Sequence, residues 1–305
     1  MLYNMVNTSN KGDYYSMIQE ITFKSGENTL CGTLYTPDTS GKHPAMAFLV
    51  GSGAESGSEG DAWGFKMWVT LAEHCAARGI AVLLFDKPGL GKSTGDWSKQ
   101  TFDDRADDGL AAIQYLKSLP QIDNNNTGLI GHSQGGWITQ LAASRSAEVS
   151  FIITLAGPYI SVYDQIMMDR SGHLSIENAS KLKTALTMIS IKSQLHLAKI
   201  AAVLGYRHPI TYIMDFDPAD ILPDITCPVL ALFGEKDVLC HPEPSIAAIN
   251  KHLLPDQTTY KIFTDCNHLF WKCETGSTKE FYKLQKEFHP DFLNTISNWI
   301  TAREK

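Results

Sequence analysis

Strand-length apolar runs bounded by Gly, Pro or Asp recur along this chain, and segments of helical periodicity separate them. That order is the signature of βαβ units feeding a parallel sheet, so the fold class is α/β. Strands are expected over 19–23, 30–36, 45–50, 80–85, 127–130, 151–155, 229–233 and 259–263. Between Asp103 and Lys117, the residues Ala106, Leu110, Ile113 and Leu116 fall at helical spacing. Asp103, Asp104, Asp107 and Asp108 enrich the first turns of that helix, where the macrodipole favours acids. The segment from Gly157 to Asp217 breaks the alternation, because it is helical in character without a convincing strand. It is expected as a helical cap inserted between strands 6 and 7, dividing a core of 1–156 and 218–305. The stretch from Phe281 to Ile300 is expected as a terminal helix packed back on the sheet.

The 305 residues, 43% of them hydrophobic, are enough for one large α/β domain with an inserted subdomain. Lys and Arg number 26 against 33 Asp and Glu, a formal charge of −7. That balance gives no electrostatic footing for a nucleic-acid backbone or an anionic membrane, so neither is expected as a partner. The six cysteines (Cys31, Cys75, Cys227, Cys240, Cys266 and Cys273) are scattered without metal-ligand spacing. They read as reduced thiols of a cytoplasmic protein. The first ten residues, Met1 to Asn10, lack the basic and apolar regions of a secretory signal. The apolar runs fall short of the roughly 18 residues that suggest a membrane span.

Gly131-His132-Ser133-Gln134-Gly135 is a G-x-S-x-G pentapeptide placed directly after the predicted strand 127–130 and before the helical run Trp137 to Ala147. A strained strand-to-helix turn presents such a serine, and glycines two residues to either side avoid collision with neighbouring backbone. A serine hydroxyl is a weak nucleophile near neutral pH and needs a base, which in turn needs a partner fixing its tautomer. Asp237, after the strand ending at Phe233, is the expected acid. His268, after the strand ending at Phe263, is the expected base. His132, His241 and His252 are expected to be structural or solvated, Asp224 a loop residue, and Asp265 too close in sequence to His268 to orient it. Acyl transfer also needs donors for a developing oxyanion. Gln134 is expected to supply one backbone N–H. The Gly51-Ser52-Gly53 turn is expected to supply the other, from Ser52 or alternatively Gly53.

The chain resembles the esterase and dienelactone-hydrolase-like, or serine peptidase-like, branch of the α/β-hydrolase superfamily. The resemblance rests on Gly51-Ser52-Gly53, on Asp86 with Gly89-Leu90-Gly91-Lys92-Ser93-Thr94-Gly95, on the pentapeptide with Gly136, on Asp237, and on Asn267-His268-Leu269-Phe270. It implies a sheet of about eight strands, a Ser-His-Asp triad and no cofactor. Two loops depart from the pattern: Lys87-Pro88 stands where an Arg is usual, and Ala54 to Asp61 lacks the customary Pro and Arg. Asp86 also occupies the position where a phosphate-binding loop needs glycine, which removes a nucleotide reading.

The expected activity is hydrolysis of carboxylic esters through an acyl-enzyme. The small-molecule substrate is an ester or a lactone, bulky and macrocyclic ones included. The rivals are a serine aminopeptidase-like enzyme and a catalytically silent ligand-binding protein of the same fold. Met167, Met168, Tyr159 and Tyr163, in a cap that also holds Met188, Met214, Tyr206 and Tyr212, are the expected lining for an apolar substrate.

Overall fold

The computed structural model describes residues 16–206 and 209–304. The reading of Met1 to Asn10 lies outside them. The eight strands are β1 (Ser16–Ser25), β2 (Asn28–Pro37), β3 (His43–Leu49), β4 (Ala81–Phe85), β5 (Ile122–His132), β6 (Ile152–Leu155), β7 (Val229–Gly234) and β8 (Thr258–Phe263). Each of the eight expected runs falls on one of them. They form one sheet in the order β1-β2-β4-β3-β5-β6-β7-β8. The β1–β2 and β2–β4 pairs are antiparallel and the other pairs parallel. The carboxyl ends of β3 to β8 therefore share one edge, where ligands of open α/β sheets bind.

The central strands are apolar on both faces because helices cover both. Alternate residues of β3 show it. Ala45, Ala47 and Leu49 join a layer with Ile113 and Leu116 of α2 (Phe102–Lys117) and Ile138 and Leu141 of α3 (Gln134–Arg145). Met46 and Phe48 join the opposite layer with Trp68 and Leu71 of α1 (Met67–Ala76) and Ile296 and Ile300 of α7 (Phe292–Thr301). The acids that open α2 do local work as well. Thr101 and Asp104 close a reciprocal capping box, with the Asp104 N–H donating to Thr101 Oγ1 at 3.1 Å.

Between β6 and β7 the chain forms α4 (Val162–Ile176), α5 (Lys181–Val203) and short 3₁₀ turns, with no strand among the described residues. The insertion is helical, as expected. A last helix, α6 (Pro242–His252), links β7 to β8. The expected terminal helix from Phe281 is too long: only Phe292–Thr301 is helical, because Trp271 and Phe288 pair through a β-bridge and Pro290 sits just before the helix start. All six thiols are free. No described helix is long and apolar enough to cross a membrane.

Candidate active site

Ser133 occupies the turn between β5 and α3 with φ 54° and ψ −121°, a conformation that costs a non-glycine residue strain. The surrounding backbone holds it there. The Ser133 N–H donates to Leu155 O at 2.9 Å, and the Gly136 N–H donates to Ser133 O at 2.8 Å. A Cβ on Gly131 would overlap the Gly135 carbonyl, and one on Gly135 would overlap that of Leu49. The turn therefore tolerates no side chain at either position.

Asp237 lies on the loop after β7, and His268 on the loop after β8. His268 Nδ1 donates to Asp237 Oδ2 at 2.7 Å, and both side chains are buried. The Leu239 and Cys240 N–H groups each donate to Asp237 Oδ1 at 2.9 Å, which fixes the carboxylate plane. Asn267 Oδ1 fixes the histidine loop by accepting from the Leu269 and Trp271 N–H groups at 2.9 and 3.1 Å. With Nδ1 committed to Asp237, Nε2 of a neutral His268 carries the lone pair, and this atom has no hydrogen-bond partner among the described residues. His132, adjacent to Ser133, packs its ring 4.7 Å from that of His268 and bonds through Nε2 to His268 O at 3.1 Å. Burial first, and the facing His268 second, hold His132 well below the usual imidazole range. Trp63 closes the same side, its ring edge-on to His268 at 5.7 Å.

Of the rival acids and histidines, Asp265 pairs with Lys236 at 2.7 Å, Asp224 ends a 3₁₀ turn, His241 caps α6 and His252 is its last residue. Asp86 accepts from Ser56 Oγ, Ser58 N–H and Ser58 Oγ at 3.0, 3.0 and 2.6 Å, so it ties down the loop after β3.

Two buried cations that the motif reading left without a role organise that loop. Lys87 Nζ donates to Gly51 O and Gly53 O, both at 2.7 Å. Arg105 donates to Val50 O at 2.7 Å and to Gln134 Oε1 at 2.5 Å. Burial, and next the Arg105 charge, push the Lys87 ammonium well below its usual range; burial brings Arg105 down to about 10. In a trans peptide the C=O and the following N–H point in opposite directions. Anchoring Gly51 O on Lys87 therefore turns the Ser52 N–H away from Lys87. A Cβ on Gly51 would lie 3.5 Å from Ser133 Cβ and 3.4 Å from Glu55 Oε2, so the loop, the serine and Glu55 converge. Burial raises the Glu55 carboxyl, with Lys87 opposing the rise, and its Oε2 has no hydrogen-bond partner among the described residues. Nothing in the sequence set Glu55 apart from Glu59 and Asp61 of the same glycine-rich loop.

The four expected substrate residues separate. Tyr159 is a core residue: it is buried, its hydroxyl shares a hydrogen bond with Thr154 Oγ1 at 3.0 Å, and its N–H donates to Ser245 Oγ at 3.2 Å. Its place four residues past the end of β6 carries it inward. Tyr163 lines a groove of about 490 Å³ with Lys192, Leu195, His196 and Lys199. Met167 and Met168 are half-buried on α4. That helix leans on the acid loop: Gln165 donates to Leu239 O, and Gly172 sits so close that a Cβ there would lie 2.8 Å from His241 Nε2 and 3.1 Å from Val238 O. One turn before His173, with which it pairs at 3.2 Å, Asp169 is raised by burial.

A family model described as "Alpha/beta hydrolase family" matches residues 48–274. Esterase EstD of Thermotoga maritima is 25% identical over 277 residues, covering 90% of this chain and 66% of that protein. The mitochondrial palmitoyl-protein thioesterase ABHD10 of Mus musculus is 27% identical over 220 residues, covering 71% of this chain and 66% of its own. The chain thus spans about two thirds of the length of these curated relatives. Among solved structures, an esterase of Pyrococcus furiosus superposes with a TM-score of 0.60 at 17% identity, over 98% of both chains.

Proposed function

Because the chain belongs to the alpha/beta hydrolase family, we propose that it is a serine hydrolase of carboxylic esters, with Ser133 as nucleophile, His268 as general base and Asp237 as the group that orients the base. The observation that carries the reading is the buried His268–Asp237 pair at 2.7 Å, linked through the His132–His268 contact to the turn that holds a serine at φ 54°. Ser133 Oγ attacks the ester carbonyl while His268 Nε2 takes its proton. Charge develops on the carbonyl oxygen, and the Gln134 and Ser52 N–H groups receive it. Collapse expels the alcohol, which leaves with the proton from His268. Water activated by the same nitrogen then releases the acid from Ser133. No metal step enters the scheme.

The insertion 157–217 acts as the cap, with Met167 and Met168 facing the apolar part of the substrate. Being named esterase and thioesterase, the two curated relatives favour oxygen and sulfur esters. Lactones, macrocyclic ones included, are the bulkier members of the same class. The test is a panel of short and long p-nitrophenyl esters, acyl thioesters, lactones and aminoacyl amides with the wild-type protein and Ser133→Ala. Ester or thioester turnover that disappears in the variant is expected. Turnover confined to aminoacyl amides would assign a peptidase. No turnover of any class by folded protein would assign a ligand-binding role.

A further inference from the structure

The helix α5 (Lys181–Val203) carries apolar residues on two opposite sides. Met188, Ile191 and Leu195 lie on the side that is half-buried to buried. Facing away from it, Leu182, Leu186, Ile189, Leu197, Ile200 and Val203 are between 45% and 88% exposed. At 100° per residue these six fall within an arc of about 120°, an apolar stripe of two halves, 182–189 and 197–203, with the exposed Ser193 and His196 between them. Monomeric proteins rarely leave so long an apolar strip in water.

The charges beside the stripe say what covers it. Lys181, Lys192 and Lys199 line one of its edges and Lys183 the other, where long side chains can lay their stems along apolar surface and hold the ammonium at its rim. No acidic residue occurs from Asn178 through Met214, a stretch that also contains Arg207, although the whole chain is formally −7. Lys183 and Lys199 reach acids outside the helix, Glu177 at 3.7 Å and Asp215 at 2.5 Å. Lys181 and Lys192 have no carboxylate partner among the described residues. Two copies joined through this face would set lysines against lysines with no acid on either helix. An apolar stripe rimmed by cations fits a surface that is apolar inside and anionic at its boundary.

We propose that α5 is an interfacial helix that lies in the plane of an anionic lipid bilayer, its leucine and isoleucine stripe among the acyl chains and its lysines at the headgroups. The overall acidity that argued against a membrane averages over this local basic segment. The docking stands independently of the chemistry assigned to Ser133.

Flotation of the full-length protein with vesicles of phosphatidylcholine, with and without one third phosphatidylglycerol, tests it. Binding is expected only to the anionic vesicles. It should weaken at about 1 M salt, where the screening length falls to about 3 Å. Replacing Lys181 and Lys192 by Gln should lower the partition coefficient about fivefold for each lysine. Leu186→Asp with Ile189→Asp, both on the exposed stripe, should lower it more than about tenfold while leaving circular dichroism and short-ester turnover unchanged. Absence of binding to the anionic vesicles, equal binding to both vesicle types, or binding that survives the double Asp substitution overturns the proposal. So does a wild-type dimer that the double substitution dissociates without any vesicle binding, since a second copy is then the occupant.

Discussion

Burial strips the Lys87 ammonium of water, and two carbonyl oxygens at 2.7 Å take the place of its hydration shell. Those oxygens belong to Gly51 and Gly53, so in the proposed mechanism this lysine, next to the Pro88 that stands where the arginine is usual, positions the Ser52 amide. Lys87→Met leaves both carbonyls without their donor and frees the loop. Turnover is expected to fall by about 100-fold with little change in KM, and Lys87→Arg, which restores donors, is expected to recover part of it. Unchanged kcat in Lys87→Met would remove the lysine from that role. The folded-state pKa of His132 lies well below the unfolded value of about 6.5, so the unfolded chain takes up the proton first as the pH falls. The wild type should therefore lose stability through this group as the pH falls below about 6.5. Urea titrations between neutral and mildly acidic pH should show a shallower loss in His132→Asn; equal slopes would show that His132 titrates alike in both states.

The strands were legible because parallel strands covered on both faces read as unbroken apolar runs, as Ala81–Phe85 does with every residue buried. The same logic failed for the segment after Phe281. Its aromatic residues, Phe281 and Phe288 among them, suggest a helix face, yet they are spent on edge-on contacts with Trp63 and stacking on Phe292 from irregular backbone. Helix α5 shows a different limit. Apolar residues around most of a helix do not disclose which side the body covers, so its exposed stripe needed coordinates. At the α4–β7 loop junction, Gly172 sets how closely α4 approaches the loop that carries Asp237. A methyl there meets mainly the tip of the His241 ring at 2.8 Å, which can swing aside, whereas a branched side chain also presses on Val238 O. Gly172→Ala is expected to work near the wild-type rate, and Gly172→Val to lower kcat about 10- to 100-fold by displacing the acid loop. Wild-type turnover in Gly172→Val would mean that α4 does not hold that loop.

At the scale of the whole molecule, the order Ser133, Asp237, His268 could be read along the chain because each follows a strand whose carboxyl end reaches the same sheet edge. What lies beneath that edge could not be read so. Lys87 and Gly51 are 36 positions apart, and Arg105 and Gln134 are 29 apart, and such bonds depend on how loops cross in space. Charge behaved similarly, since a formal −7 conceals the basic stretch around α5. In the proposed mechanism Ser133, activated by His268, forms a covalent adduct with an electrophilic acyl or phosphonyl group. The direct measurement is peptide mapping by mass spectrometry after incubation with a fluorophosphonate. A single adduct on the peptide containing Ser133 is expected, absent in Ser133→Ala and formed at least about 1,000-fold more slowly in His268→Ala. Folded wild-type protein that stays unlabelled, or that carries the adduct on another residue, would contradict it.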